Sequence, residues 1–305
     1  MYDIVGLGSC CWDYVAQVEH FASEDDKVTA KSLQEFPGGV TANMILQAAR
    51  LGLKTAWCGA LGKDIIGNKL LELFKTEKVD AYPLFTQATQ SAWIAVDSKG
   101  ERQIYVFLNG NMELAPEVVN TEFRPAISNC RHFHTEIANI PLAVAIAGAE
   151  IAKHHGANIF LDVDADINHL IKTGIGTQKE MNKLLDLADV IKLSESSAKS
   201  LSGSEDAASV LPSLLKYANI VAITLGDKGC IIADKEQTIT LPAVLVKCVD
   251  STGAGDAFMA GLSYAILKKM PLKEMGMFAN ACGAMCCTGI GARSSGTKRE
   301  ILKSY

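Results

Sequence analysis

The stretch VKCVDSTGAGDAFMAGLSYAILKK, residues 246–269, sets an aspartate, Asp256, directly after Gly-Ala-Gly, where an apolar run turns into a helical pattern. Phe258, Gly261, Leu262, Ala265 and Ile266 recur at helical spacing, so a helix begins near Gly253 to Gly255. Its first amide N–H groups have no partner inside the helix, and together with the helix dipole they favour an anion in the preceding loop. An acid placed there has two possible roles. As a helix cap it satisfies those amides, worth about 1 kcal/mol. As a general base it takes a proton from a hydroxyl, beside amides that stabilise the charge on a transferring phosphoryl group. The local pattern leaves both open.

A second locus is EFPGGVTANMILQAARLG, in which Gly38 and Gly39 precede a helix with Met44, Ile45, Ala48, Ala49 and Leu51 on one face. Asn43 lies in its first turns and offers an amide donor and acceptor to a hydroxyl, with glycines that admit close approach of the backbone. In HFHTE, His132, His134 and Glu136 share one face of a strand. A metal is conceivable there, but polar side chains lining a pocket at a strand end are favoured, because no further ligands are in view. GLGSCC lacks the third glycine and the following helix of a dinucleotide fingerprint, and GALGKD has Trp57 and Asp64 where a P-loop needs Gly and Ser or Thr. His154 and His155 end a helix before Gly156 and complement its dipole.

Parallel strands joined by helices would position these groups. DIVGLGS, TAWCGAL, CRHFHT, NIFLDVD, ADVIKL and NIVAITL are short apolar runs separated by segments of helical period, the pattern of a mostly parallel α/β sheet with helices on both faces. Residues 13–36 and 91–108 instead alternate like exposed antiparallel strands, with DSKGER as a hairpin turn at 97–102. The expectation is one domain, residues 1–305, carrying a small antiparallel β lid. Composition agrees with a compact chain: 305 residues, 49% hydrophobic and 21% charged. A net charge of −5 excludes a strong positive field for nucleic acid, and no apolar run reaches the length of a membrane span. Nine cysteines, an odd number, include Cys58, Cys230, Cys248 and Cys282 inside apolar segments and the adjacent pairs Cys10-Cys11 and Cys286-Cys287. They read as buried thiols of a cytoplasmic protein rather than as a zinc site or a disulfide framework.

DSTGAGDAFMAG resembles the C-terminal signature of the ribokinase, or PfkB, carbohydrate kinase family through Asp250, Thr252, Gly253, Ala254, Gly255 and Asp256. GGVTAN, GALGKDIIGNKLLELFKTEKVD, ITLGDKGC and NACGAMCCTGIGARSSG follow the family order across nearly the whole chain. The resemblance implies a ribokinase-like doubly wound fold with a lid that often mediates dimers, so a homodimer through the lid is expected. It also implies ATP-dependent phosphorylation of a hydroxymethyl group on a sugar or sugar-like molecule. By position, Asp256 is then the base and the amides of Gly253, Ala254 and Gly255 the anion hole. Asp13, Gly38, Gly39 and Asn43 contact substrate hydroxyls, joined by Glu136 from the pocket-lining strand. Ser194, Thr224, Gly226, Gly229, Gly253, Gly255 and Asn280 border the nucleotide. Asp250, Thr252, Cys286, Gly289, Gly291 and Ser295 match positions that hold a monovalent cation, K⁺, in potassium-activated members. Mg²⁺ is implied too, although the family's NxxE motif reads Ser194 to Ser197 in KLSESSAKSLSG, with Glu195 nearby. Cys11 and Val40 replace polar side chains for ribose, which disfavours that sugar. A nucleoside kinase of adenosine or pseudouridine type, with Val40, Cys11 and Trp93 packing on a base, is the alternative within the fold; a non-catalytic sugar-binding regulator is the alternative of another class.

Overall fold

The computed structural model describes residues 1–99 and 101–304. In chain order its strands are β1 (Tyr2–Leu7), β2 (Cys11–Gln17), β3 (Ser32–Gly38), β4 (Thr55–Gly62), β5 (Asp80–Thr86), β6 (Gln90–Val96), β7 (Arg102–Phe107), β8 (Cys130–Glu136), β9 (Asn158–Val163), β10 (Val190–Ser194), β11 (Ile220–Thr224), β12 (Cys230–Ala233) and β13 (Thr238–Leu241). The main sheet runs β13-β12-β11-β10-β9-β8-β1-β4-β5. Every pair from β11 to β5 is parallel, and β12 and β13 add an antiparallel edge. All six apolar runs singled out in the sequence are strands of the parallel part. Missing from that reading were β5, whose Pro83 is tolerated because β5 is an edge strand, and the short pair β12–β13.

Alternation of side chains sends Val5 and Leu7 to one face and Ile4 to the other, and the two faces bury separate cores. One core packs under the helices Leu142–His154 and Gln178–Leu187. The other packs under Val40–Arg50, Ala254–Leu267 and Leu272–Cys286 and contains Trp57 stacked on Phe74 at 5.1 Å. Each fully buried large side chain contributes roughly 1.5–3 kcal/mol, so both helical layers are firmly fixed to the sheet. The second of these layers carries Asn43 and Asp256. Among the described residues no helix is long and apolar enough to cross a membrane.

The lid is a separate sheet, ordered β3-β2-β6-β7. Its two hairpins, β2–β3 and β6–β7, are antiparallel as expected, but the central pair β2–β6 is parallel. The reason is connectivity: β2 and β6 each follow a parallel strand of the main sheet, β1 and β5, after a few residues and so leave it in the same direction. Beyond β6, Asp97 N–H donates to the Glu101 carbonyl at 3.0 Å across the expected 97–102 turn, whose Gly100 lies outside the described residues. The helix ending at His154 stops where Gly156 takes φ 80°, as the sequence indicated.

Candidate active site

The helix Ala254–Leu267 starts on Gly253, whose φ of 78° is left-handed and whose missing Cβ would lie 2.4 Å from the Ala292 carbonyl oxygen. Asp256 therefore falls in the first turn, buried at 7% exposure. Its Oδ2 accepts from Asn43 Nδ2 at 2.8 Å. Asn43 Oδ1 in turn accepts from Arg293 Nε at 2.8 Å, and Arg293 Nη2 donates to the Gly38 carbonyl at 2.7 Å. A chain of hydrogen bonds thus runs from the glycine loop to the acid. Burial pushes the Asp256 carboxyl well above the usual carboxylate range, against the pull of Lys192 and the Asn43 hydrogen bond.

Asp256, Asn43, Gly39, Gly253 and Asp13 open onto a cavity of about 390 Å³. Ser9, Gln90, Asn139, Arg102 and Asp164 add to its polar wall, while Cys11, Val40, Ala92, Ile104 and Val106 make the other side apolar. Burial also raises the Asp13 carboxyl, partly offset by the Cys11 thiol and Arg293. Gly38 lies behind this wall, where a Cβ would strike the Asp13 carboxylate at 2.4 Å. Glu136, 1% exposed, also stands one layer back. Its Oε1 accepts from the Ser9 amide (2.8 Å), the Ser9 hydroxyl (2.6 Å) and the Thr41 hydroxyl (3.0 Å), and Oε2 from Asn139 (2.6 Å). It orients two wall residues, Ser9 and Asn139, and does not itself line the cavity. His132 packs on Phe160 with centroids 4.5 Å apart and the rings tilted by 32°. Burial, with Arg131 beside His132 and Lys192 beside His134, drops both imidazoles to about 3, and no metal-ligand cluster occurs among the described residues.

On the other side of the helix start lies a cavity of about 480 Å³ bordered by Thr224, Gly226, Gly229, Ala254, Gly255 and Asn280. Val244, Leu245, Phe258 and Ala284 give it an apolar lining, and Asn280 Nδ2 donates to the Pro242 carbonyl at 3.1 Å. Ser251 and Gly255 border both cavities. Ser194 caps the helix Glu195–Ser202 by accepting from the Ser197 amide at 3.2 Å and lines an adjoining open cleft that shares Thr224 and Gly226. Ser197 is buried against Ser194, 2.9 Å between hydroxyls, and Glu195 is engaged by Lys199 at 3.1 Å and Lys228 at 3.4 Å.

The two loops of the expected cation positions meet. Asp250 accepts from the Thr252 amide (2.9 Å) and hydroxyl (2.7 Å) and from the Gly291 amide (2.9 Å), and these bonds hold its carboxyl low despite burial. Cys286 Sγ lies 3.4 Å from the Thr252 carbonyl, and a Cβ on Gly289 would meet Ser294 at 2.7 Å. Ser295 turns away, its hydroxyl bonded to Gln47 and its carbonyl to Arg50. Two expectations are corrected. Trp93 does not face the substrate cavity: it pairs with Tyr14 and Phe107 on the outer side of the lid, 60% exposed, because its neighbour Ala92 takes the inner side. Cys248 is exposed at the rim of the second cavity, whereas Cys58, Cys230 and Cys282 are buried; all nine cysteines are free thiols.

Sequence reading missed Arg293, Lys192 and Asp164. Arg293 stood unremarked in GARSSG; Lys192 in ADVIKL and Asp162 in NIFLDVD were charges inside buried strands, which is a signal for a paired site, whereas Asp164 follows the strand and is exposed.

A parallel sheet with a strand lid, and a helix start shared by two cavities, define a phosphotransferase of ribokinase-like architecture. The model of the pfkB family carbohydrate kinases matches residues 1–299. The chain is 31% identical to a ribokinase of Haemophilus influenzae, over 97% of this chain and 96% of that one. It is likewise 31% identical to fructokinase-2 of Solanum lycopersicum, over 95% and 91%. Its fold matches the Arabidopsis thaliana ribokinase solved with ribose and ATP, with a TM-score of 0.85, 24% identity and coverage of 99% and 98%. The chain belongs to the PfkB family and is a carbohydrate kinase.

Proposed function

We propose that the chain transfers the γ-phosphoryl group of ATP to a hydroxymethyl group of a free sugar or sugar-like polyol. The observation that supports this reading is the shared helix start, with Asp256 on the polar cavity's side and the amides of Gly253, Ala254 and Gly255 between the two cavities. The acceptor hydroxyl lies against Asp256, which takes its proton as the oxygen attacks phosphorus; the amides meet the charge that develops, and the lid keeps water out. Asn43, held by Arg293, keeps the carboxylate aimed. The apolar cavity suits an adenine base beside Asn280.

Mg²⁺ fits a donor set poor in carboxylates when nucleotide phosphates supply most of its ligands, with Glu195 the acid at that cleft. When bound it neutralises phosphate charge. K⁺ would sit between the Asp250–Thr252 and Cys286–Gly291 loops and order the anion hole; equal rates in KCl and NaCl would remove it. With Trp93 facing outward, a nucleoside base loses its expected aromatic wall, so a sugar is favoured. ADP release with Mg·ATP and a panel of sugars and nucleosides tests the proposal. Turnover confined to nucleosides overturns the acceptor class, and sugar binding by calorimetry with no turnover returns the regulator reading.

A further inference from the structure

Strand β10 carries a charged side chain, Lys192, in an otherwise apolar run, and it has no solvent exposure. Asp162 of β9 is its register partner, and Glu136 of β8 is the register partner of Asp162, so a charged row crosses three parallel strands toward their carboxyl ends. Lys192 Nζ lies 3.0 and 3.3 Å from the two Asp162 oxygens and 3.8 Å from Asp164 Oδ2. A buried pair of this kind can often be exchanged for apolar side chains without loss of stability, so stability alone does not account for it. What lies above it does. A Cβ on Gly255 would come within 2.9 Å of Nζ, so the ammonium presses against the turn whose amides form the anion hole. Gly255 has no left-handed φ; the lysine end is what a side chain at 255 would displace.

We propose that Lys192 is a positioning residue for the transfer reaction: its buried ammonium, pinned by Asp162 and lying against Gly255, is the counter-charge of Asp256 and adds to the positive field of the anion hole. The inference rests on Asp256 as the base. The groups facing Asp256 are Lys192 from β10, Asp162 and Asp164 at the end of β9, Asn43 from the Val40–Arg50 helix and the Cys286 thiol from the Leu272–Cys286 helix. Lys192 is the cation of that set, and Arg293 stands one residue removed behind Asn43. Lys192 itself also faces the neutral His134. Burial works against its charge, but Asp162, Asp164 and Asp256 outweigh burial and hold it above the ordinary lysine range. Without the ammonium, Asp256 keeps Asp162 and the partly exposed Asp164 as neighbours and loses the cation that favours its charged form, so it gives up its proton only at higher pH. Without Asp162, the ammonium acts on Asp256 undivided, and the proton leaves at lower pH.

The test is the titration midpoint of Asp256, read by carboxyl ¹³C NMR on aspartate-labelled protein and assigned by its loss in Asp256→Asn. The expected order of midpoints is Asp162→Asn, then parent, then the double variant Lys192→Met/Asp162→Leu, then Lys192→Met, with the last about one unit or more above the parent. The double variant removes the buried pair together and keeps the comparison open should Lys192→Met fail to fold. In parallel, kcat/KM with Mg·ATP and either D-fructose or D-ribose falls at least about tenfold at pH 7 in Lys192→Met. A merely structural lysine would lower activity with all midpoints unchanged. Coincident midpoints alongside an inactive Asp256→Asn overturn this inference and leave the base intact; an Asp256→Asn protein as active as the parent overturns both.

Discussion

At the scale of the residue, Asp256 combines the properties a base needs. Burial raises its proton affinity, Asn43 fixes one oxygen, and the helix start supplies partial positive charge. Asp256→Asn keeps the shape and loses the acceptor, so kcat is expected to fall at least about a hundredfold while the thermal transition stays within a few degrees of the parent. The pH dependence follows from the direction of the shift. A carboxyl raised by burial is protonated, and inactive as a base, to a higher pH than an exposed one. The rising limb of kcat/KM is therefore expected well above the ordinary carboxylate range, and a limb near pH 4 would remove Asp256 as its source. The same shift has a stability consequence of opposite sense. The folded state holds the Asp256 proton more tightly than the unfolded chain, so this group's stabilising contribution is full at low pH and is lost as pH rises through the folded value.

At the scale of the element, the site depends on how two backbone segments meet. Gly253 adopts φ 78° with a carbonyl where its Cβ would be. Gly253→Ala is expected to cost about 2 kcal/mol or more, read as a lowered denaturant midpoint, and to reduce kcat by displacing the amides. A variant of unchanged midpoint and rate would mean that the Ala292 loop yields. These elements were unequally legible in the sequence. The six parallel strands and the start of the Ala254–Leu267 helix follow from apolar runs and helical spacing, because both are buried on a fixed period. The edge strands β5 and β13 are partly exposed and β12, though buried, is four residues long, so periodicity carried little of them. Asp13, Gly39, Asn43 and Asp256 were found from motifs and do share one cavity. Arg293 and Lys192 were not, since each acts through a partner far along the chain, and Trp93 was set on the wrong side because one register step reverses a strand's faces.

At the scale of the whole molecule, the lid presents Leu33, Trp93, Tyr105 and Phe107 outward at 63%, 60%, 62% and 46% exposure. An apolar face of this kind on a sheet with open edge strands suits a second copy of the same lid. A dimer in sedimentation at micromolar concentration is the expected result, and Trp93→Asp combined with Tyr105→Asp should yield a folded monomer. Wild-type protein sedimenting as a monomer would remove the dimer.

The hydrogen-bonded chain from Gly38 through Arg293 and Asn43 to Asp256 joins residues 213 and 250 positions apart in the sequence. During synthesis, the glycine loop and the strands of the lid emerge from the ribosome long before Asp256, and Asp256 before the arginine that holds Asn43. A nascent chain ending before Arg293 can already have buried much of its first core and still lack the hydrogen bond that holds Asn43 against Asp256, so if Asp256 is the base proposed above, enzymatic competence is expected only after Arg293 has been translated.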